Sequence, residues 1–187
     1  MKYRTIEEAQ KVVIPNLSNE IAEDYRRLAK YIKLENANRT IKLRKIYDQT
    51  DKVTETVSPF MVCQKGCSHC CKIDVTISSV EAEYIHKNTG FTPNNGSSLS
   101  KGHSANKTPC TFLAEDETCS IYEFRPFACR TFFAYDNPEY CAEPGKFHIT
   151  YSSRSNGMLD QLKNMIVFLN KNSPIRDIRD FFPTTKI

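Results

Sequence analysis

Four cysteines lie within nine consecutive residues, from Cys63 to Cys71 in the stretch CQKGCSHCC, and this loop restricts the fold more than any other part of the chain. A tetrahedral zinc ion with sulfur ligands at about 2.3 Å holds the sulfur atoms roughly 3.8 Å apart. The Cys-x-x-x-Cys-x-x-Cys spacing allows a short loop to fold back and meet that distance. Gly66 provides the backbone freedom that a tight turn requires. The stretch therefore predicts an irregular, metal-binding loop.

Cys70 and Cys71 differ from the other two cysteines of the loop because they are adjacent in the chain. Neighbouring side chains usually point apart. We therefore expect these two thiols to serve two metal sites, or one of them to contact a metal ligand without binding the metal itself. Four more cysteines follow downstream and can complete the coordination. The predicted metal ligands are Cys63, Cys67, Cys70, Cys71, Cys110, Cys119, Cys129 and Cys141.

The way in which eight cysteines are used depends on the redox state of the compartment. In a secreted domain they would suggest four disulfides, whereas in a reducing cytosol the same clustering indicates a metal. The first residues of the chain lack the apolar run of a secretion signal, and no apolar run reaches the length that spans a membrane. We therefore expect a cytoplasmic, metal-binding protein with no membrane association.

Charge does not favour nucleic acid as a partner. The net charge is only +4, and most Lys and Arg residues alternate with Asp and Glu. Such a pattern is typical of solvated helix faces rather than of a nucleic-acid interface.

The hydrophobic pattern predicts a mainly α protein with an irregular cysteine-rich metal-binding centre and little or no β-sheet. We expect an N-terminal helical segment at residues 1–58, a cysteine-cluster metal-binding domain at 59–150, and C-terminal helices at 151–187 that pack on it. The predicted elements are helices after the capping residues Thr5 and Ser18, a helical stretch through residues 41–57, a short strand or extended segment at 73–77, a helix from Ser78 to Gly90, a long loop at 91–109, a helix at 157–171, and a short helix from Pro174 through Phe181.

Charged and imidazole side chains near the cysteines have weaker signals. A four-thiolate zinc site carries a net charge of about −2, so nearby cations are expected, and the alternative is that they pair with surface carboxylates. Among the histidines, only His69 lies inside the loop and is a minor candidate ligand. We expect those at 86, 103 and 148 at the surface. The candidate cations are Lys65, Lys72, Arg125 and Arg130.

The cysteine motifs carry a resemblance to a known family. The loop is followed by Cys110-x-Phe-Leu and then by Cys119-Ser-Ile-Tyr-Glu-x-Arg-Pro-x-x-Cys129-Arg. This pattern resembles the YkgJ-type cysteine-cluster family, which is similar to the cysteine-rich part of flagellin lysine N-methylases. The family pattern is Cys-x-x-Cys-x-x-Cys-Cys, whereas three residues separate Cys63 from Cys67 here, and Cys141 lies beyond the matched motif. The resemblance implies a domain that chelates zinc or iron.

Several functions remain open at this stage. The preferred one is a metal-binding module that holds zinc or iron, with a metal ion and a protein partner or substrate as its partners. The alternatives are an enzyme of the protein lysine N-methylation type and an iron–sulfur redox protein. No glycine-rich nucleotide loop follows a predicted strand, and the common ferredoxin spacings are missing. The sequence therefore leaves catalysis undecided.

Overall fold

The computed structural model describes residues 3–64, 66–94, 96, 108–143 and 145–184, and this part of the chain is mainly α-helical. The prediction of a mainly α protein with little β-sheet is confirmed. The helices are α1 (Ile6–Gln10), α2 (Asn19–Leu34), α3 (Arg39–Val57), α4 (Ser79–Thr89), α5 (Phe127–Thr131), α6 (Gly157–Asn170) and α7 (Ile178–Phe181); the strands are β1 (Thr76–Ser78), β2 (Phe133–Ala134), β3 (Thr150–Tyr151) and β4 (Ile175–Asp177). Most of the predicted loop at 91–109 lies outside the described residues, as do Lys65 and His103.

Local capping signals place the predicted helices correctly. The Thr5 side chain accepts a hydrogen bond from the Glu8 backbone N–H, and the Glu8 carboxylate accepts one from the Thr5 N–H. Ser18 caps α2 by accepting from the Ile21 N–H at 3.2 Å. Helix α4 ends at Gly90, whose φ of 80° lies in the left-handed region that glycine enters without strain. Among the described residues, no helix has an apolar stretch of the length that a bilayer crossing requires.

The main hydrophobic core surrounds α3, which packs against α2, α4, α5 and α6. Leu43, Ile46, Val53 and Val57 are completely buried on α3. A second, smaller core lies next to the cysteines and contains Ile77, Ala82, Ile85, Phe112, Ile121, Ile178, Phe181 and Phe182, with the side chains of Cys110 and Cys119 packed against it. The cysteine region therefore has an apolar support of its own, separate from the helical core.

The predicted helix from Pro174 is wrong over its first half. Residues Ile175–Asp177 form β4, which pairs antiparallel with β1, and the helix begins only at Ile178. The Pro174 carbonyl accepts a hydrogen bond from the Ser79 N–H at 3.0 Å, which directs the chain along β1. Pairing with a distant strand thus overrides the helical start that proline at a first-turn position would favour.

Arg179 connects this C-terminal unit to the cysteine segment. Its side chain is almost fully buried, and its guanidinium donates to the Thr108 carbonyl at 2.7 Å and to the Ile73 carbonyl. The Asp177 carboxylate accepts a hydrogen bond from Arg179 Nε at 2.8 Å and neutralises the buried guanidinium charge. One side chain therefore holds two loop segments, one after Cys71 and one before Cys110.

A second small sheet lies on the other side of the cysteine loop. Strands β2 and β3 pair antiparallel, with Phe133 opposite Tyr151 and Ala134 opposite Thr150. The pairing continues beyond the strands, because the Tyr135 N–H donates to the Ile149 carbonyl at 2.9 Å. The Val62 N–H donates to the Ala134 carbonyl at 3.0 Å, so the start of the cysteine loop is attached to this sheet.

Candidate metal centre

Seven of the eight cysteines line one cavity of about 750 Å³, and Cys141 is buried outside its lining. All eight are free thiols, so the alternative of four disulfides is not what the structure contains. Most of their mutual interactions fall within two groups that together contain seven of them, and the Cys67 charge, which also raises the pKa of Cys71, links the two groups. The Cys63 group comprises Cys63, Cys67 and Cys141, and the Cys71 group comprises Cys71, Cys110, Cys119 and Cys129.

The Cys63 group is organised by β2 and by the 3-10 helix Pro138–Ala142. The Ala134 N–H donates to Cys63 Sγ at 3.2 Å. The Cys63 thiol donates to Cys67, which lowers the pKa of Cys67 to about 6 and raises that of Cys63. Cys141 lies on the 3-10 helix, and its pKa is raised to about 11 by burial and then by the Cys67 charge. One thiolate is thus already favoured in this group before any metal binds.

In the metal-free protein, Cys67 is expected to react with iodoacetamide at pH 7 faster than Cys110. The thiolate is the nucleophile, and a pKa of about 6 leaves Cys67 mostly ionised at pH 7. Replacing Cys63 by Ala removes the thiol donor and should slow alkylation of Cys67 by about two- to fourfold, because the loss of thiolate is partly offset by the higher nucleophilicity of a more basic thiolate, while Cys110 is unaffected. Peptide mapping by mass spectrometry measures both rates. Equal rates at Cys67 and Cys110 in the wild type would contradict this assignment.

The Cys71 group combines three separate chain segments. The Cys110 N–H donates to the Cys71 carbonyl at 2.7 Å, which fixes the backbone of one beside the other. Cys119 lies on a turn that returns to Cys110, since Leu113 and Cys119 form an antiparallel bridge. Burial raises the pKa of Cys110 to about 11 and also raises that of Cys119 and Cys129, and the Cys71 charge adds to all three shifts. These four thiols therefore share one low-dielectric environment.

A buried carboxylate positions Cys129, the member of this group that lies on α5. Glu81 accepts hydrogen bonds from the Phe127 N–H at 2.9 Å and from the Tyr47 hydroxyl at 3.0 Å. The same carboxylate accepts from Ser78 through the capping box of α4. Glu81 thereby joins α3, α4 and the first turn of α5. Because Cys129 lies on α5, this carboxylate also fixes the position of the Cys129 backbone.

Cys70 lies between the two groups. It and Cys71 belong to the 3-10 helix His69–Lys72, where the Cys71 thiol donates to the Cys70 sulfur and burial adds to the rise in the pKa of Cys71. The two adjacent thiols are thus in contact, contrary to the expectation that neighbouring side chains point apart.

The candidate cations differ in their surroundings. Arg130 is buried and donates to both carboxylate oxygens of Asp51, at 2.9 and 2.6 Å. It therefore pairs with a carboxylate rather than with the thiolates. Arg125 stacks over the Tyr122 ring at 3.9 Å, and its charge opposes the burial that raises the pKa of Cys119. Lys72 lies 3.6 Å from Glu117. Of these three cations, Arg125 is therefore the one that stabilises a thiolate at this site.

The donor set suits a thiophilic metal, although the ligands are not yet placed around one point. Among the described residues, no three Cys, His, Asp or Glu side chains form a ready metal-binding arrangement. Seven thiols nevertheless face one cavity, and sulfur ligands select zinc, copper(I) or iron–sulfur clusters. Metal binding would have to draw the thiols together by movement of the loops and short 3-10 turns that carry them.

Comparison with known proteins gives one match. Residues 62–146 match the CxxCxxCC family model, described as a putative zinc- or iron-chelating domain. That segment has the features of a zinc- or iron-chelating domain. No curated protein and no solved structure matches the chain. The match covers a little under half of the chain and contains all eight cysteines, whereas α1 to α3 and α6 lie outside it.

Two residues near the Cys63 group were not found by sequence reasoning. His148, expected at the surface, has a side chain only 12% exposed, and it lies 3.5 Å from the fully buried Asp136. Both belong to the extension of the β2–β3 pairing. No spacing in the sequence links positions 136 and 148, so the pair becomes visible only once the strand register is known.

Proposed function

We propose that this protein binds zinc or iron through the thiolates of both cysteine groups, at two separate sites. The supporting observation is the arrangement of the thiols: seven face one cavity, Cys63 is bonded to β2, and Cys71 and Cys110 are held together on a different part of the backbone. The Cys71 group supplies four sulfur ligands and the Cys63 group supplies three. Four thiolates around one ion close its coordination shell, which is typical of structural sites. A site of this kind stabilises a fold rather than activating a substrate.

The electrostatics of the site agree with metal binding. Burial raises the pKa of most of these thiols, so the metal-free protein holds them largely protonated. A divalent cation reverses this preference, because its charge stabilises adjacent thiolates and protons are released on binding. The apolar side chains around the thiols, including Phe112 and Ile121, then exclude water from the completed site. Free thiols in this number also fit the predicted reducing, cytoplasmic location.

Protein purified without oxygen is expected to contain two metal ions per chain. Replacing Cys110 by Ser and replacing Cys67 by Ser should each remove one metal ion per chain, because the two changes remove a ligand from different cysteine groups. The double variant should lose both ions. Asn164→Ala, which changes an exposed residue of α6, is the control and should retain both ions.

Elemental analysis and the absorption spectrum measure the result. A colourless protein with stoichiometric zinc supports structural zinc sites, whereas a brown protein indicates an iron–sulfur cluster. If neither metal is retained by the wild type, the proposed function is wrong. If every single variant loses all of its metal, one joint cluster replaces the two sites.

A further inference from the structure

Asp136 and His148 form a buried pair beside the Cys63 group. The Asp136 side chain is fully buried, and its Oδ1 lies 3.5 Å from His148 Nδ1. Neither of these two atoms has a hydrogen-bond partner among the described residues. The other carboxylate oxygen, Oδ2, accepts from the Ile149 N–H at 2.9 Å. The pair is therefore held in place but is not satisfied by the rest of the described chain.

The strand register explains why these two residues meet. Ala134 is opposite Thr150 in the β2–β3 pair, so two positions further along the same antiparallel register Asp136 lies opposite His148. The backbone N–H of Ala134, two residues before Asp136, donates to Cys63 Sγ at 3.2 Å, so Cys63 is bonded to the same chain segment that carries Asp136.

The imidazole also packs against the 3-10 helix that carries Cys141, the third thiol of the group. The His148 ring packs edge-to-face against Tyr140, with ring centroids 6.4 Å apart, and Cys141 is the next residue on the same 3-10 helix. The Asp136 charge also adds to the effect of burial in raising the pKa of the Cys141 thiol. The β2–β3 register and the contact with Tyr140 thus connect this histidine to the strand bonded to Cys63 and to the 3-10 helix that carries Cys141.

A fully buried carboxylate is costly unless a cation or several hydrogen bonds compensate for it. A neutral imidazole compensates poorly. An imidazole that binds a metal through one nitrogen becomes a better donor at the other, and metal-bound histidines commonly give that proton to a carboxylate. His148 already directs Nδ1 towards Asp136, which leaves Nε2 as the nitrogen available to a metal.

We propose that His148 completes the Cys63 group as its fourth metal ligand through Nε2, with Asp136 accepting the Nδ1 proton and orienting the ring. This inference rests on the proposed metal binding. It assigns three sulfur ligands and one nitrogen ligand to this site and four sulfur ligands to the other. His148 lies outside the segment matched by the family model. Two other residues compete for the fourth position: Cys70, which is in contact with Cys71, and His69, whose backbone N–H and charge both act on Cys67.

The test is NMR of the full-length protein labelled with ¹⁵N-histidine and loaded with ¹¹³Cd²⁺. A scalar coupling between cadmium and a histidine nitrogen requires a direct bond. We expect one such coupling, lost in His148→Ala and kept in both His69→Ala and the exposed control His86→Ala. The His148→Ala variant should retain the ion of the Cys71 group, which shows that it is folded. His148→Cys should restore two ions per chain.

Asp136→Asn separates orientation from ligation. It should keep the coupling but weaken cadmium binding at this site by about 10–100-fold, the usual effect of removing the hydrogen-bond partner of a metal-binding histidine. Two bound ions without any histidine coupling would overturn the proposal while leaving metal binding intact. A coupling that survives in His148→Ala and disappears in His69→Ala would also overturn it. Failure of the wild type to bind cadmium would instead reject the proposed function.

Discussion

Removal of the metal from the loaded protein by a chelator is expected to accelerate amide exchange in residues 66–72 by about a thousandfold. This segment has a short 3-10 helix as its regular structure, and two of its cysteines lie in different groups. Structural zinc binding contributes about 10–16 kcal/mol in small zinc-finger peptides, and even a fraction of that far exceeds what such a turn supplies. A thousandfold change corresponds to about 4 kcal/mol.

Helices α2 and α6 provide the internal control for this experiment. Their buried residues belong to the main core, which does not depend on the thiols. Exchange in α2 and α6 should change by less than about threefold after chelation, and helical circular dichroism should be largely retained. Uniform acceleration in the loop and in both helices would mean that the metal supports the whole chain as one unit. No change anywhere would exclude a structural role for the metal.

Arg130→Gln is expected to destabilise the protein by about 2–4 kcal/mol. The Arg130 side chain is 5% exposed, binds Asp51 through two hydrogen bonds, and stacks over Tyr47 at 4.4 Å. It also donates to the carbonyls of Glu123 and Arg125, which lie just before α5. Removing one member of a buried ion pair leaves the other groups unsatisfied, although Asp51 remains partly hydrated.

Arg125→Gln is the matched control, because this guanidinium stacks on a tyrosine that is itself exposed. Its cost should stay below about 1 kcal/mol. Urea unfolding of the metal-free and metal-loaded forms measures both variants. The difference between Arg130→Gln and the wild type should be similar in the two forms. If it appears only in the metal-loaded form, Arg130 acts through the thiolates and not through its contact with Asp51.

Features that depend on neighbouring residues could be predicted from the sequence. The capping boxes at Thr5 and Ser78 form within four residues, and so does the left-handed turn at Gly90, so local chemistry is sufficient to locate these helix ends. The mainly α fold follows from the same periodic and capping signals. The eight cysteines were recognisable as a set because their spacing is itself a chemical pattern.

Features that depend on distant residues could not be predicted. The division of the thiols requires the positions of segments around residues 63, 110, 129 and 141 relative to one another, and no local rule supplies these. The helix predicted from Pro174 was wrong because β4 gains a partner in β1 that lies about a hundred residues earlier. His148 was assigned to the surface for the same reason, since its burial comes from a strand pairing that was not predicted.

The position of Arg179 in the chain affects the order in which the protein can be assembled during translation. The residue that fastens the loops after Cys71 and before Cys110 is synthesised 108 residues later than Cys71. At translation rates of about 5–20 residues per second, the first four thiols are synthesised, and leave the ribosome, about 5–20 s before Arg179 does. A nascent chain in this interval offers thiols that metals and oxidants can reach from several directions. Metal acquisition and thiol oxidation therefore compete most directly before the last helix has emerged.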